Sequence, residues 1–336
     1  MLELFDINQN LPLWLLIIAN IVSILMLAKG GDYLTQGASD IAFRLKINPI
    51  VIGLTIVSVA TSMPELFTCL SASLKGSDDI ALGNILGSNL GNMGLIMGVT
   101  AIMMPVVIPR RLIMWELPFL LGVTIVFFLL CAGGALERHE GILLLITMAA
   151  YLIVIIRYEK DDHSSDSEEP VSKSTVLDSQ RSSLPKCVIL IAIGGVLLFI
   201  GSDLLIDSSV ATAKKFNVSE IIIGLTVVAI GTSLPELATC MVAVMRKESE
   251  LIAGNIVGSN LFNTLFVSGA VSMYSGQLSV DHGLLLFEFP AMILLTGILW
   301  LFFITERTVT RVEGVLLVIS YFAMISLAFF DRQGYL

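Results

Sequence analysis

Ten stretches of nearly continuous apolar sequence divide the chain, at residues 11–42, 48–74, 79–104, 112–133, 139–157, 186–213, 219–245, 249–274, 284–304 and 312–331. A helix that crosses a bilayer needs about 20 apolar residues. Each stretch can supply one, and the longest must tilt or break. Only 14% of the 336 residues are charged, where a soluble domain carries about 25%. The net charge is −9 and the basic residues form no patch, which argues against nucleic-acid binding. These features predict an all-α polytopic membrane protein whose immediate partner is the lipid bilayer.

The longest polar segment runs from Tyr158 to Lys186 and is rich in Ser, Asp and Glu without apolar periodicity. It reads as a disordered acidic linker, so the expected organisation is a first five-helix unit at 1–157, a linker at 158–185 and a second five-helix unit at 186–336. No EF-hand spacing occurs in the linker. Lys and Arg accumulate in cytoplasmic loops. With the N-terminus outside, 13 basic residues fall in cytoplasmic loops and 5 outside, with Lys29 inside the first span. That tally places both termini outside and the linker in the cytoplasm of a cell (inner) membrane. No Lys or Arg precedes Lys29, so a cleavable signal peptide is not expected. Cys69, Cys131, Cys187 and Cys240 lie in or beside apolar runs without metal-ligand spacing, and read as small core residues.

An internal repeat carries the most information. Residues 53–92 read GLTIVSVATSMPELFTCLSASLKGSDDIALGNILGSNLGN, and residues 224–263 read GLTVVAIGTSLPELATCMVAVMRKESELIAGNIVGSNLFN. The offset is 171 without gaps, and 20 of the 40 positions are identical. Five spans per half is an odd number, so the second half should sit upside down relative to the first. Inverted repeats of this kind build many secondary transporters, with the substrate near the midplane on broken helices.

Glu65 and Glu236 occupy equivalent positions deep in apolar segments. An acid at the centre of a membrane helix costs about 2.5–3.5 kcal/mol even on insertion scales, so two at matched positions point to function. In T-S-x-P-E, Thr61 lies four residues and Ser62 three residues before Glu65, and both hydroxyls share the carboxylate's helical face. Thr232 and Ser233 do the same for Glu236. Pro64 and Pro235 lack an N–H and should kink each helix, leaving carbonyls near Ser58 to Thr61 free for a cation. In G-N-x-x-G-S-N-x-x-N, Ser88 and Asn92 share a face, as do Ser259 and Asn263, and these amides should line the site. Asn84, Asn89, Asn255 and Asn260 read equally well as site residues or as side-chain braces for broken helices. Hydroxyl, amide, carbonyl and carboxylate oxygens suit hard cations such as Ca²⁺, not zinc or copper. Two carboxylates balance one Ca²⁺ or two Na⁺.

At these residues the chain resembles the cation/calcium exchanger superfamily, specifically bacterial and archaeal sodium/calcium exchanger-like antiporters. The resemblance covers both repeated blocks, the ten-span layout and the central linker. It implies Glu65 and Glu236 as central ligands shared by Na⁺ and Ca²⁺, with hydroxyls from Thr61, Ser62, Ser88, Thr232, Ser233 and Ser259. It implies that the carbonyls of Ser58 and Ala229 face outer and inner sodium sites and that Asn92 and Asn263 complete a middle site. It also implies that spans 1 and 6 slide together across the other eight. Some relatives, potassium-dependent ones among them, carry Asp where this chain has Asn263, so no potassium requirement is expected. Proton-coupled relatives place an acid after the G-N of the second motif, which this chain lacks, favouring sodium coupling.

The expected function is thus exchange of Na⁺ for Ca²⁺ by alternating access, with inorganic cations as substrates, no cofactor, no enzymatic activity and no obligate protein partner. A Ca²⁺/H⁺ antiporter using the same glutamates is the alternative, and a passive channel fits kinked inverted halves less well. His139, His163 and His282 fall in or near loops, against a Ser/His dyad. No G-x-x-x-x-G-K-[ST] loop is present, against ATP-driven pumping. Asp32, Asp40, Asp203 and Asp207 in spans 1 and 6 read as interfacial capping or packing groups, with ion guidance or pairing with Lys29 as the alternatives. Glu116 and Glu288 read as interfacial structure.

Overall fold

The computed structural model describes residues 11–45, 47–74, 76, 78–162, 182–216, 231 and 233–332. The fold is helical. In chain order the elements are α1 (Leu13–Leu45), α2 (Pro49–Thr61), α3 (Met63–Leu74), α4 (Asp78–Met103), α5 (Leu112–Cys131), α6 (Arg138–Asp162), α7 (Leu184–Lys215), α8 (Leu234–Arg246), α9 (Ser249–Ser275), α10 (Glu288–Glu306) and α11 (Arg311–Arg332). Among the described residues, seven helices are long and apolar enough to cross a membrane, and eight if the bent pair α2–α3 is one span. Most of the stretch expected to begin the seventh span, 219–230, lies outside the described residues, as do 163–181 of the expected linker. Helix α6 continues to Asp162, into the segment read as linker.

Position in the bundle follows composition. The apolar windows of α4 and α9 are 78% and 83% buried, against 22–44% for the other spans. These two helices carry the Gly, Ser and Asn residues of the second motif, whose polar groups cannot face lipid. The outer helices turn large apolar side chains outward: Trp14, Ile21 and Leu25 on α1, Leu143 and Ile146 on α6, and Val188 and Val196 on α7 are all exposed. That surface is what hydrocarbon would cover.

The repeat is visible in the pairing of elements. Helices α1 and α7, matched by the 171 offset, pack against each other antiparallel. A Cβ on Gly30 would sit 2.9 Å from the Gly194 carbonyl, and one on Gly37 would sit 2.8 Å from the Cys187 carbonyl. One heptad in the other direction, a Cβ on Gly201 would meet Met26 at 3.0 Å. Small residues at heptad spacing therefore bring two backbones together along a straight seam. Polar bonds finish its ends: Ser209 donates to Asn20 at 2.8 Å, the Ser182 N–H donates to Asp40 at 3.1 Å, and Arg44 donates to the Ser182 carbonyl.

Four short strands, not anticipated from the sequence, tie loop to loop. Strand β1 (Val106–Val107) pairs antiparallel with β4 (Thr308–Val309), and β2 (Ala135–Glu137) with β3 (Gln277–Ser279). Under the 171 offset Val106 corresponds to Gln277 and Glu137 to Thr308, so the two ladders are equivalent and each joins one half to the other. Their brevity explains why they left no alternating pattern to read.

Three of the acids read as packing or interfacial groups, Asp32, Asp40 and Glu116, make structural contacts. Asp32 pairs with Arg246 at the end of α8 at 2.5 Å, and Ser39 donates to Glu248 at 2.7 and 2.9 Å, so α1 is also fastened to α8 and the turn after it. Glu116 pairs with Arg111 at 3.2 Å and accepts from Tyr151 at 3.3 Å.

The α1–α7 seam has no room for a side chain at Gly194, where a Cβ would lie 2.7 Å from the Leu34 nitrogen. Overpacking costs about 1–3 kcal/mol. Gly194→Leu should lower the melting temperature of the detergent-purified protein by several degrees. Gly122→Leu, at an exposed position with no described atom within 4 Å of the new Cβ, should leave it unchanged. Equal melting temperatures would show that the seam is loosely packed.

Candidate cation site

The site begins with two helix breaks. Pro64 and Pro235 lie in the first turn of α3 and α8, where a missing N–H costs nothing. The serine before each helix turns the chain: Ser62 has φ −90 and ψ 8, and Ser233 has φ −88 and ψ 7. The two halves thus make the same turn from the same sequence. The bond that a proline forfeits is the one to the carbonyl four residues back. For Pro235 that carbonyl belongs to Gly231, and the Ser202 hydroxyl of α7 donates to it at 2.6 Å.

The breaks place Glu65 and Glu236 in the first turns of α3 and α8. Both are fully buried. A helix N-terminus carries partial positive charge, worth about 0.3–1 kcal/mol to a nearby carboxylate. That offsets only part of the cost of burying an acid in such surroundings, so the remainder falls to neighbouring donors or to cations.

The neighbours come from the opposite half. Ser62 donates to the Glu236 Oε1 at 2.8 Å. Thr61 Oγ1 lies 3.3 Å from Asn255 Oδ1 and 3.4 Å from Ser259 Oγ. The first half therefore lends its hydroxyls to the carboxylate and second motif of the other. Ser233 caps α8 by position, but its hydroxyl makes no capping bond, and it borders Gly91. Asn92 and Asn263 lie within matched π-helical turns, Gly91–Ile96 and Phe262–Val267. Such turns frequently mark functional sites.

Buried polar atoms without a partner among the described residues concentrate here: the oxygens Glu65 Oε1 and Oε2, Glu236 Oε2, Ser88 Oγ, Asn92 Oδ1 and Asn263 Oδ1, and the Asn263 Nδ2. Native proteins leave few such groups, and each needs an explanation. A set of acceptors around two carboxylates is what a dehydrated hard cation requires.

The structure thus brings together Thr61, Ser62, Glu65, Ser259 and Glu236, and places Ser233, Asn92 and Asn263 on the same breaks and turns, with Ser88 on α4 four residues before Asn92. Thr232 and Ala229 lie outside the described residues. The Ser58 carbonyl, expected to be free, accepts the Ser62 N–H at 3.0 Å and Thr61 Oγ1 at 3.3 Å. Proline frees the carbonyl of its own i−4 residue, which for Pro64 is Ala60, two residues beyond Ser58. The four asparagines left open by the sequence divide. Asn84 and Asn255 donate to the thiols of Cys69 and Cys240 at 3.3 and 3.6 Å, one equivalent pair in each half. Asn89 and Asn260 bridge α4 to α9 and its π-turn. The asparagine–cysteine pairs had a signal in the sequence, since the repeated Cys follows each Glu by four residues.

Comparison with known proteins gives the family. The family model described as sodium/calcium exchanger protein matches residues 15–157 and 186–330. The chain is 33% identical to the inner membrane protein YrbG of Escherichia coli over 74% of this chain and 77% of that protein. It is 28% identical to the sodium/calcium exchanger MaX1 of Methanosarcina acetivorans over 92% and 97%. A solved structure of the sodium-calcium exchanger NCX_Mj superposes with a TM-score of 0.80 at 25% identity, covering 94% of this chain and 99% of that one. Two matched repeats, two buried glutamates and a family match over both halves lead to one statement: the chain is a membrane protein that belongs to the sodium/calcium exchanger family.

Proposed function

We propose that the protein exchanges Na⁺ for Ca²⁺ across the cell's inner membrane by alternating access. The observation that carries this is the pair of buried carboxylates at equivalent helix breaks, surrounded by oxygen acceptors that lack partners. Glu65 and Glu236 bind the cation from opposite halves. Hydroxyls of Thr61, Ser62, Ser88, Thr232, Ser233 and Ser259 and the amides of Asn92 and Asn263 replace its water. The carbonyl of Ala229 extends the site toward one side of the membrane. The charge of two carboxylates is matched by one Ca²⁺ or by two Na⁺, so binding of one ion type displaces the other. The names of MaX1 and NCX_Mj support sodium as the coupling ion.

The architecture we propose is ten spans in two inverted halves, with both termini outside and 158–185 as a cytoplasmic linker. The antiparallel packing of the offset-matched helices α1 and α7 supports it. In this arrangement the α1–α7 pair moves as one body over the core, because its internal seam is backbone against backbone. The ties from Asp32 to Arg246 and from Ser39 to Glu248 must then break and re-form.

The test is Ca²⁺ flux in proteoliposomes under an imposed Na⁺ gradient and, separately, a pH gradient. Sodium-driven flux is the expected result. Flux driven only by the pH gradient would keep the site and move the chain to Ca²⁺/H⁺ exchange. Single-channel current without countertransport would replace both.

Two substitutions probe the ligands. Removing one partner from a buried charged set costs about 3–5 kcal/mol. Glu65→Gln or Glu236→Gln should therefore cut flux by about 100-fold or more, with unchanged amounts of protein in the membrane; near-normal flux in either variant removes the site. Asn263→Asp adds a third carboxylate and should change the ratio of Ca²⁺ to Na⁺ affinity. An unaltered ratio would mean that residue 263 does not touch the ions.

A further inference from the structure

The amide of Asn92 can bind a cation only through its oxygen. Its NH₂ end carries partial positive charge and repels one. The two ends have nearly the same shape, so something must decide which end faces the site. The structure contains a chain of bonds that decides it. The Asn89 backbone carbonyl can only accept. The Asn260 Nδ2 donates to it at 3.2 Å, which turns the Asn260 Oδ1 the other way. That oxygen can only accept, and the Asn92 Nδ2 donates to it at 2.9 Å. The Asn92 Oδ1 is thereby turned away from Asn260, buried and without a partner among the described residues. All three asparagines are at most 1% exposed, so water cannot substitute for any link.

The relay runs in one direction because the second half carries a hydroxyl, on Thr264, that the first half lacks. Asn89 is the counterpart of Asn260 under the 171 offset. Its Nδ2 goes instead to the Thr264 hydroxyl at 2.8 Å, and the residue matching Thr264 in the first half is Met93, which has no hydroxyl. Asn89 is thus engaged elsewhere, and its Oδ1 and the Asn263 amide have no partner among the described residues.

We infer that Asn260 is the positioning residue that fixes the amide of Asn92 oxygen-inward, anchored on the Asn89 carbonyl. This rests on the reading that Asn92 faces the cations. Asn260 itself does not bind them.

The experiment uses the full chain in proteoliposomes and compares wild type, Asn260→Ala, Asn92→Ala and the double variant. Apparent KM for Ca²⁺ and maximal rate are measured separately. An amide free to turn presents the wrong end part of the time. Asn260→Ala should raise KM roughly five- to tenfold, the scale of one neutral hydrogen bond, with the maximal rate within about twofold. In the Asn92→Ala background the same change should add nothing, because the residue it acts through is gone. An unchanged KM in Asn260→Ala overturns the inference. So does a further rise in the double variant, which would assign Asn260 a role apart from Asn92. A wild-type KM in Asn92→Ala instead overturns the site reading beneath it. If Asn260→Ala does not accumulate in the membrane, Asn260→Ser, which is nearer the native volume and still polar, is read through the same four-way comparison.

Discussion

Two carboxylates buried at the starts of two half-helices are the constraint from which the rest of this structure follows. Glu65 and Glu236 are fully buried, and Ser62 of one half already donates to Glu236 of the other. Charges so placed need the helix breaks that aim N–H groups at them, and the breaks need Pro64 and Pro235 in the first turn. They also need polar helices nearby, and those helices must be shielded from lipid. Hence α4 and α9 occupy the centre, and apolar helices surround them. The same demand explains why the protein is built twice: one half supplies one carboxylate and part of the other's shell.

The small-residue seam between α1 and α7 solves a different problem. Apolar attraction between helices is weak in lipid, so a persistent pair needs close backbone packing. Gly30, Gly37, Gly194 and Gly201 provide it, and the end bonds through Asn20 and Asp40 fix the register. The contacts from this pair to the core differ in kind. Asp32–Arg246 is an ion pair with both side chains about one-third exposed, a type of interaction usually worth less than 1 kcal/mol. The same pair also meets α8 at close range, where a Cβ on Gly31 would lie 3.0 Å from the Ala238 carbonyl.

Much of this was legible in the sequence because the repeat is an internal comparison. Thr61, Ser62, Pro64 and Glu65 each have a twin 171 residues later, and the local chemistry of a proline break is the same wherever it occurs. The side-chain cross-links were not legible. Whether Asn89 lines the site or braces it depends on Thr264, a residue that breaks the repeat and lies on another helix. The partner of Asp32 is Arg246, which only the packing of α1 on α8 brings near. The capture of the Gly231 carbonyl by Ser202 has no counterpart in the first half, where Gly31 stands at the matching position and packs against the Ala238 carbonyl instead. The Ser58 carbonyl was misjudged for a local reason: the turn at Ser62 keeps a helical bond to it.

The account stands or falls on one shared site, and equilibrium binding to the purified protein tests that most directly. Radioactive Ca²⁺ binding in detergent should saturate at one ion per chain. Added Na⁺ should displace it with a cooperative dependence, and either glutamine substitution at 65 or 236 should abolish it. Ca²⁺ that stays bound at high Na⁺, or that binds equally to both glutamine variants, would contradict the shared site.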